Sequence, residues 1–188
     1  MKLALFGGTF DPIHNAHLEI AREAVRQFAL DRVWFIPAAR PPHKSTVTNT
    51  PYDDRFRMVQ LACAGQPMFE ASRIEEGEEK SYSIETIQRV RGSLGAGDEL
   101  YFLIGADAFG DIRTWRRWPE VIALVEFIVV SRPGRSYDVP EGARVHALDG
   151  VNLPVSSSQI RRRLAAGDEN VDVPPPVLAY ISEHHLYR

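Results

Sequence analysis

Two histidines follow the first apolar segment of the chain, and two glycines precede them. Gly7 and Gly8 carry no side chain, so main-chain N–H groups there can approach a ligand closely. A helix that begins after them directs its unpaired N–H groups and its positive dipole to the same place, which favours an anion. His14 and His17 share one face once that helix has begun. The segment therefore predicts a phosphate site with two imidazole donors, whose protonated forms the phosphate charge would favour.

Each of these features has a more ordinary interpretation when it is taken alone. A double glycine is usually a turn, and a histidine near a helix start is usually a cap or a surface residue. Two histidines at this spacing could also ligate a metal, but no third ligand with the right pattern lies nearby, which argues against structural zinc. The string is neither a P-loop, which ends in Gly-Lys-Ser/Thr, nor the glycine-rich dinucleotide fingerprint. Their combination directly after a first strand favours phosphate binding.

A second cluster, "VSSSQIRRRL" at 155–164, combines hydroxyls with arginines. Serines cap helix N-termini, but they also donate hydroxyl hydrogen bonds to phosphate, and we favour this second role for Ser156 and Ser158. Arg161 comes one turn into the predicted helix, where its guanidinium can reach back to a triphosphate. Arg162 and Arg163 are interpreted as solvated surface residues.

Three further segments carry side chains suited to the rest of a nucleotide. Lys44 ends "PAARPPHK" at 37–44, whose loop could carry it over the phosphates, although a stiff loop with an exposed basic pair is an equally good interpretation. Asp107 follows the apolar "LYFLI" and could accept a ribose hydroxyl, cap a helix, or do both. Trp115 could stack on a flat heteroaromatic ring, whereas Trp118 is assigned to the core.

Apolar periodicity predicts the elements that must position these residues. Strands are expected at 2–6, 32–38, 68–74, 100–105, 126–132 and 144–148, and helices at 18–30, 56–63, 83–91, 118–125, 156–167 and 174–187. Alternating strands and helices, with strands apolar on both faces, indicate an α/β fold: a single Rossmann-like domain over 1–188 whose parallel sheet has helices on both faces. Ligands of such sheets bind beyond the carboxyl ends of the strands, where the strand order reverses. Each cluster described above falls at such an end.

Composition limits the classes of partner. The chain has 188 residues, of which 44% are hydrophobic, a net charge of −3 and one cysteine. Without a basic excess, binding to long nucleic acid is not expected, so any bound phosphate should belong to a small ligand. No apolar stretch reaches membrane-spanning length, and the apolar run after Lys2 is too short for an export signal. We therefore expect a cytoplasmic protein that does not bind membranes.

Two of these segments resemble the signatures of the nucleotidyltransferase superfamily. "GGTFDPIHNAH" at 7–17 is similar to the signature in which "GTFDP" leads to two histidines, with Ala16 where glycine is common. "VSSSQIR" at 155–161 is similar to the second signature, Ile-Ser-Ser-Thr-x-Ile-Arg. "PPHK", "SYSIETI", "GADAF", "TWRRW" and "SRPG" resemble segments of the bacterial nicotinate mononucleotide adenylyltransferases. The resemblance extends over essentially the whole chain.

This resemblance implies adenylyl transfer from ATP to nicotinate mononucleotide, giving deamido-NAD and pyrophosphate in NAD biosynthesis. Mg²⁺ is expected to be carried with the ATP phosphates, with no dedicated metal ligands in the protein. The implied ATP-binding residues are Gly7, Gly8, Thr9, Phe10, His14, His17, Gly105, Asp107, Ser156, Ser158 and Arg161. Those implied for nicotinate mononucleotide are Lys44, Ser83, Ile84, Trp115 and Arg116, with main-chain amides holding the pyridine carboxylate. The implied catalytic residues are His14, His17, Lys44 and Arg161.

Two alternatives stay open at this point. Within the superfamily, the acceptor could be nicotinamide mononucleotide or another phosphate, such as phosphopantetheine or glycerol phosphate. Outside enzymes, the chain could be a nucleotide-binding sensor without turnover. The presence of both histidines, Lys44 and Arg161 argues against a sensor, and the residues do not predict an oligomeric state.

Overall fold

The central strand of the sheet is apolar on both of its faces. In the computed structural model, which describes residues 1–40, 50–77 and 79–188, β1 spans Lys2–Gly8. Leu3 and Leu5 pack into the apolar cluster on one side of the sheet, and Ala4 and Phe6 pack into the cluster on the other. Because both faces of this strand are buried, it must lie inside a sheet that helices cover on both sides.

Six parallel strands form this sheet in the order β3-β2-β1-β4-β5-β6. The other five are β2 (Arg32–Pro37), β3 (Phe69–Ala71), β4 (Glu99–Gly105), β5 (Glu126–Val130) and β6 (Val145–Leu148). The order reverses between β1 and β4, which pair directly in parallel. Chains leaving these two strands diverge to opposite faces and open a crevice at their carboxyl ends.

Seven helices cover the sheet within the described residues. They are α1 (Asn15–Phe28), α2 (Tyr52–Cys63), α3 (Ser83–Ser93), α4 (Ala106–Gly110), α5 (Trp118–Leu124), α6 (Ser157–Ala165) and α7 (Pro175–Glu183). Most buried apolar residues of α1, α2, α6 and α7 belong to the cluster that contains Phe6, and those of α3, α4 and α5 belong to the cluster that contains Leu5. The predicted Rossmann-like α/β class is confirmed.

Element boundaries differ from the predictions at a few points. Helix α1 begins at Asn15, three residues earlier than predicted, because His14 occupies the N-cap with extended backbone. β3 is shorter than predicted because it is an edge strand, with only three residues paired to β2. α4 and a short 3₁₀ helix at Ile112–Thr114 were not predicted. Among the described helices, none has the length and apolar character needed to cross a bilayer.

Candidate active site

A cavity of about 680 Å³ opens at the point where the strand order reverses. Its walls come from the ends of β1 (Phe6–Thr9) and β4 (Phe102–Gly105), from Ser81–Ser83 at the start of α3, and from Thr114–Arg116. Seven residues predicted from the sequence line this one cavity: Gly7, Gly8, Thr9, Ser83, Gly105, Trp115 and Arg116. The carboxyl ends of the two central strands therefore bring together segments that are far apart in the chain.

The loop after β1 folds back tightly on the strand. Phe10 has a left-handed backbone (φ 50°), and its ring lies so close to Gly8 that a Cβ atom there would come within 3.0 Å of it. A side chain at Gly8 would require the Phe10 ring to shift by a few tenths of an ångström, so glycine suits this position. The ring of Phe10 is only 2% exposed and meets His17 edge-on at 5.0 Å. Phe10 thus supports His17, and only its main chain is left for the predicted ATP contact.

The two predicted histidines form one stacked unit at the start of α1. Their ring centroids are 3.7 Å apart, and the main-chain N–H of His14 donates to Nδ1 of His17 at 3.2 Å. Because Nδ1 of His17 accepts a hydrogen bond, a neutral ring carries its proton on Nε2 and presents that N–H as a donor. In the part of the chain that the structure describes, Nδ1 of His14 is buried without a hydrogen-bond partner.

Helix α6 is bonded to the loop that carries the histidines. Nη1 of Arg161 donates to the carbonyl oxygen of Asp11 at 2.8 Å, and Nη2 donates to Oγ of Ser158 at 3.3 Å. Oγ of Ser157 donates to the carbonyl oxygen of Pro12 at 2.9 Å, while Ser156 caps the helix by accepting from the N–H of Gln159. The second predicted cluster therefore lies beside the first, although about 145 residues separate them in the sequence.

Aromatic and cationic side chains form part of the cavity wall, whereas the histidines and Arg161 are not among the residues that line it. Trp115 is half-buried and packs edge-on against Phe102, with ring centroids 5.6 Å apart. The guanidinium of Arg116 lies 4.7 Å from the ring centroid of Tyr82. Ser83 is the first residue of α3 and Ile84 the second, so their main-chain N–H groups belong to the helix turn that has no intrahelical acceptors. The Ile84 side chain itself is buried in the core, which limits its predicted ligand contact to the main chain.

Two predicted residues lie apart from these groups. Asp107 is inside α4, whose N-cap is Gly105, and its exposed carboxylate faces Arg135 at 3.8 Å rather than the cavity wall. The alternative interpretation of Asp107 as an N-cap is therefore wrong, and its ribose contact stays a prediction. Lys44 lies outside the described residues.

Comparison with known proteins places the chain in a family. Residues 5–163 match the family model "Cytidylyltransferase-like". A protein of Solibacter usitatus that carries the name "Probable nicotinate-nucleotide adenylyltransferase" is 62% identical over 188 residues, with both chains covered completely. A protein of the same name from Exiguobacterium sibiricum is 45% identical, covering 100% of this chain and 99% of its own. This chain belongs to the nicotinate-nucleotide adenylyltransferase family.

A solved structure shows the same fold at low sequence identity. Plasmodium falciparum nicotinic acid mononucleotide adenylyltransferase, complexed with NaAD, superposes with a TM-score of 0.80 at 19% identity. The alignment covers 99% of this chain and 97% of that one. The order of elements in this family is thus retained well beyond recognisable sequence similarity.

Several residues that support the site were not predicted from the sequence. Arg55 is buried under the loops after β1 and β2, and Tyr187 donates to the buried carboxylate of Asp11. Asp172 accepts from the side chain of Asn15 at 2.6 Å and thereby holds the start of α1. Arg55 could have been found from its spacing, since it shares a helix face with Met58, Val59 and Ala62, all buried. The contacts of Tyr187 and Asp172 span more than 150 residues and leave no local pattern.

Burial determines the charge of His14. The residue is 5% exposed, and desolvation lowers the pKa of its imidazole from 6.5 to about 4, with Asp172 acting weakly in the opposite direction. The imidazole of His14 is therefore neutral at pH 7. Without bound phosphate, His14 can donate only as a neutral ring, and the expectation that phosphate charge favours its protonated form stays a prediction.

This pKa shift makes the protein less stable in acid. A histidine whose pKa is lowered by folding binds more protons in the unfolded state, so the free energy of unfolding falls as the pH drops below 6.5 towards 4. We expect His14 to account for a loss of about 2 kcal/mol between pH 7 and pH 5. In urea titrations at both pH values, the free energy of unfolding of His14→Asn should fall by about 2 kcal/mol less than that of the wild type, because asparagine also caps helices but does not titrate.

The exposed His184 offers a matched control for this measurement. The His184→Asn variant should retain the full wild-type loss between the two pH values. Equal losses in His14→Asn and wild type would show that His14 does not titrate as a buried group.

Proposed function

We propose that this chain transfers the adenylyl group of ATP to nicotinate mononucleotide, forming nicotinate adenine dinucleotide and pyrophosphate. The observation that carries the proposal is the convergence of two distant clusters on one loop. His17 bonds to the main chain of His14, and Arg161 bonds to the main chain of Asp11, three residues earlier. A guanidinium and two imidazoles beside a helix N-terminus suit a chain of phosphates.

The proposed reaction needs no protein nucleophile and no general base. An oxygen of the mononucleotide phosphate, already anionic at neutral pH, forms a bond to the α-phosphorus of ATP. The bond from that phosphorus to the oxygen bridging to the β-phosphate breaks, and pyrophosphate leaves with the electron pair. What remains for the protein is to hold both substrates in line and to stabilise the charge that develops on the phosphates.

Each proposed catalytic group has a role that fits its geometry. Nε2–H of His17 donates to the α-phosphate, with the ring held by the N–H of His14 and by Phe10. Arg161 and the hydroxyls of Ser156 and Ser158 bind the outer phosphates that leave as pyrophosphate. His14 is 5% exposed and its Nδ1 is buried, so its proposed phosphate contact would be made through the small part of the ring that reaches the surface.

Mg²⁺ is proposed to arrive with ATP. The described residues contain no group of three or more His, Cys, Asp or Glu side chains that could hold a metal ion, so phosphate oxygens and water would be its ligands. Its contribution would be to neutralise phosphate charge.

The cavity beside Trp115 is proposed to hold the pyridine ring. Trp115 offers a flat face for stacking, and the wall it forms with Phe102 is apolar. The N–H groups of Ser83 and Ile84, which have no intrahelical acceptors in the first turn of α3, are suited to a carboxylate, and the guanidinium of Arg116 lines the same cavity. This arrangement favours nicotinate over nicotinamide, because a carboxylate accepts charge-assisted hydrogen bonds that a neutral amide does not.

The test is an assay of pyrophosphate release and dinucleotide formation from ATP and each of two mononucleotides. We expect turnover with both, and kcat/KM higher by about 10- to 100-fold for nicotinate mononucleotide, since hydrogen bonds to a charged group contribute roughly 1.5–3 kcal/mol. ATP binding without turnover on any acceptor would identify a sensor instead. Equal kcat/KM for the two mononucleotides would overturn the assignment of the carboxylate pocket.

A further inference from the structure

Arg55 is buried directly beneath the walls of the cavity. It lies on α2, and at 1% exposure it is among the most buried side chains of the described residues. An arginine is protonated at neutral pH, so the fold holds a positive charge away from water here. Removing such a charge from water is costly unless hydrogen bonds compensate, and an apolar residue on this helix face would avoid that cost.

The guanidinium donates to main-chain carbonyls of three separate segments. Its Nη1 lies 2.8 Å from the carbonyl oxygen of Thr9 and 2.8 Å from that of Ala38, so one nitrogen bridges the loops after β1 and β2. Nη2 lies 3.4 Å from the carbonyl oxygen of Ala39, and Nε lies 3.2 Å from that of Thr50. Main-chain carbonyls cannot rotate independently of the backbone, so these bonds fix the backbone itself.

The bridged loops are the two sides of the proposed reaction centre. Thr9 and Ala38 both line the cavity, and the N–H of Ala38 also donates to the carbonyl oxygen of Gly8 at 2.9 Å. From the other side, the N–H of Ala39 donates to Oγ of Ser81 at 2.8 Å. Thr9 belongs to the loop that leads to His14, and Ala38 follows β2 and lines the same cavity. Arg55 therefore ties the loop after β1 to the loop after β2, in addition to the direct bond between Ala38 and Gly8.

We infer that Arg55 is a positioning residue. It sets the separation between the loop after β1, which leads to the histidines proposed to bind ATP, and the loop after β2, which lines the cavity proposed for the mononucleotide, without touching either substrate. This inference rests on the proposed function. Its effect should appear in kcat, because in-line attack depends on the relative placement of two bound substrates, and displacements of the order of 1 Å can cost up to about 100-fold in rate. KM values should change little, since the groups that contact each substrate are retained.

The test compares Arg55→Lys with Arg55→Met. Lysine keeps the charge but has a single ammonium in place of the planar fork, so it cannot reach carbonyls of all three segments. We expect kcat of Arg55→Lys to fall by about 10-fold, with both KM values within about threefold of wild type, and a larger loss for Arg55→Met. Arg57, exposed on the same helix and bonded only weakly to Gln60 at 3.4 Å, is the matched control, and its lysine and methionine variants should retain wild-type kcat.

A purely structural role predicts a different result. The melting temperature would then fall, but kcat per folded molecule, measured well below that temperature with circular dichroism to count folded protein, would stay unchanged. Such a result in either variant would overturn the inference, and so would failure of both variants to fold. Absence of dinucleotide formation in the wild type would instead refute the proposed function, so the two failures are distinguishable.

Discussion

Replacing His17 with alanine is expected to lower kcat by about 100- to 1,000-fold, since removing one preorganised donor to developing charge typically costs about 2.7–4 kcal/mol. The reason lies in how the ring is held. Nδ1 accepts from the N–H of His14, and Phe10 packs against the ring edge-on, so Nε2–H is directed before any substrate binds. No reorganisation is needed during the reaction, which is why the loss should fall mainly on kcat. Steady-state assays with both substrates saturating measure it.

Two further substitutions separate the donor from the helix cap. The side-chain oxygen of His17→Asn can still accept from the N–H of His14 but presents no donor at the Nε2 position, so we expect an alanine-like loss of rate with a near-normal melting temperature. His17→Gln places an amide N–H near the position of Nε2 and should retain more activity than His17→Asn. The exposed His184→Ala is the control for histidine removal. A His17→Asn enzyme with kcat within about threefold of wild type would contradict the proposed mechanism.

The fold was predictable because buried strands consist of apolar residues, which can be recognised in the sequence. Leu3 and Leu5 pack on one side of the sheet and Ala4 and Phe6 on the other, and an unbroken apolar run such as 3–6 indicates this two-sided burial. The family and the enzyme class were predictable because the signatures around His14 and Arg161 depend on local spacing, and the comparison with relatives confirms both. The roles of individual site residues remain predictions, which the variants of His17, Arg55 and Arg161 test.

Residues that act through the main chain could not be assigned in the same way. Arg55 donates to carbonyl oxygens of Thr9, Ala38 and Ala39, and every residue has such an oxygen, so its partners have no sequence signature. Tyr187 and Asp11 are 176 residues apart, and they meet only because the fold brings the end of the chain to the loop before α1. Sequence patterns predict groups suited to a ligand, whereas the groups that hold them in place are found only in the folded chain.

Replacing Arg161 with alanine is expected to lower kcat/KM for ATP by about 100-fold, because a hydrogen bond to a charged group contributes up to about 3 kcal/mol. Its guanidinium is held at one end by the carbonyl oxygen of Asp11 and by Oγ of Ser158, which leaves its other N–H groups for the leaving pyrophosphate. Arg161→Lys keeps the charge but cannot serve Asp11 and a phosphate together, so we expect an intermediate loss of about 10-fold. Kinetics with ATP as the varied substrate test both variants.

The adjacent Arg162 is the matched control for Arg161. It is exposed on the same helix, and Arg162→Ala removes the same charge from the protein, so any effect of net charge on ATP encounter should appear in it as well. We expect kcat/KM of Arg162→Ala to stay within about twofold of wild type. If Arg161→Ala and Arg162→Ala lose activity equally, Arg161 acts only through its contribution to the net charge of the protein. A selective loss in Arg161→Ala places the leaving pyrophosphate at the junction of α6 with the histidine loop, where its charge meets the proposed donors from both signatures.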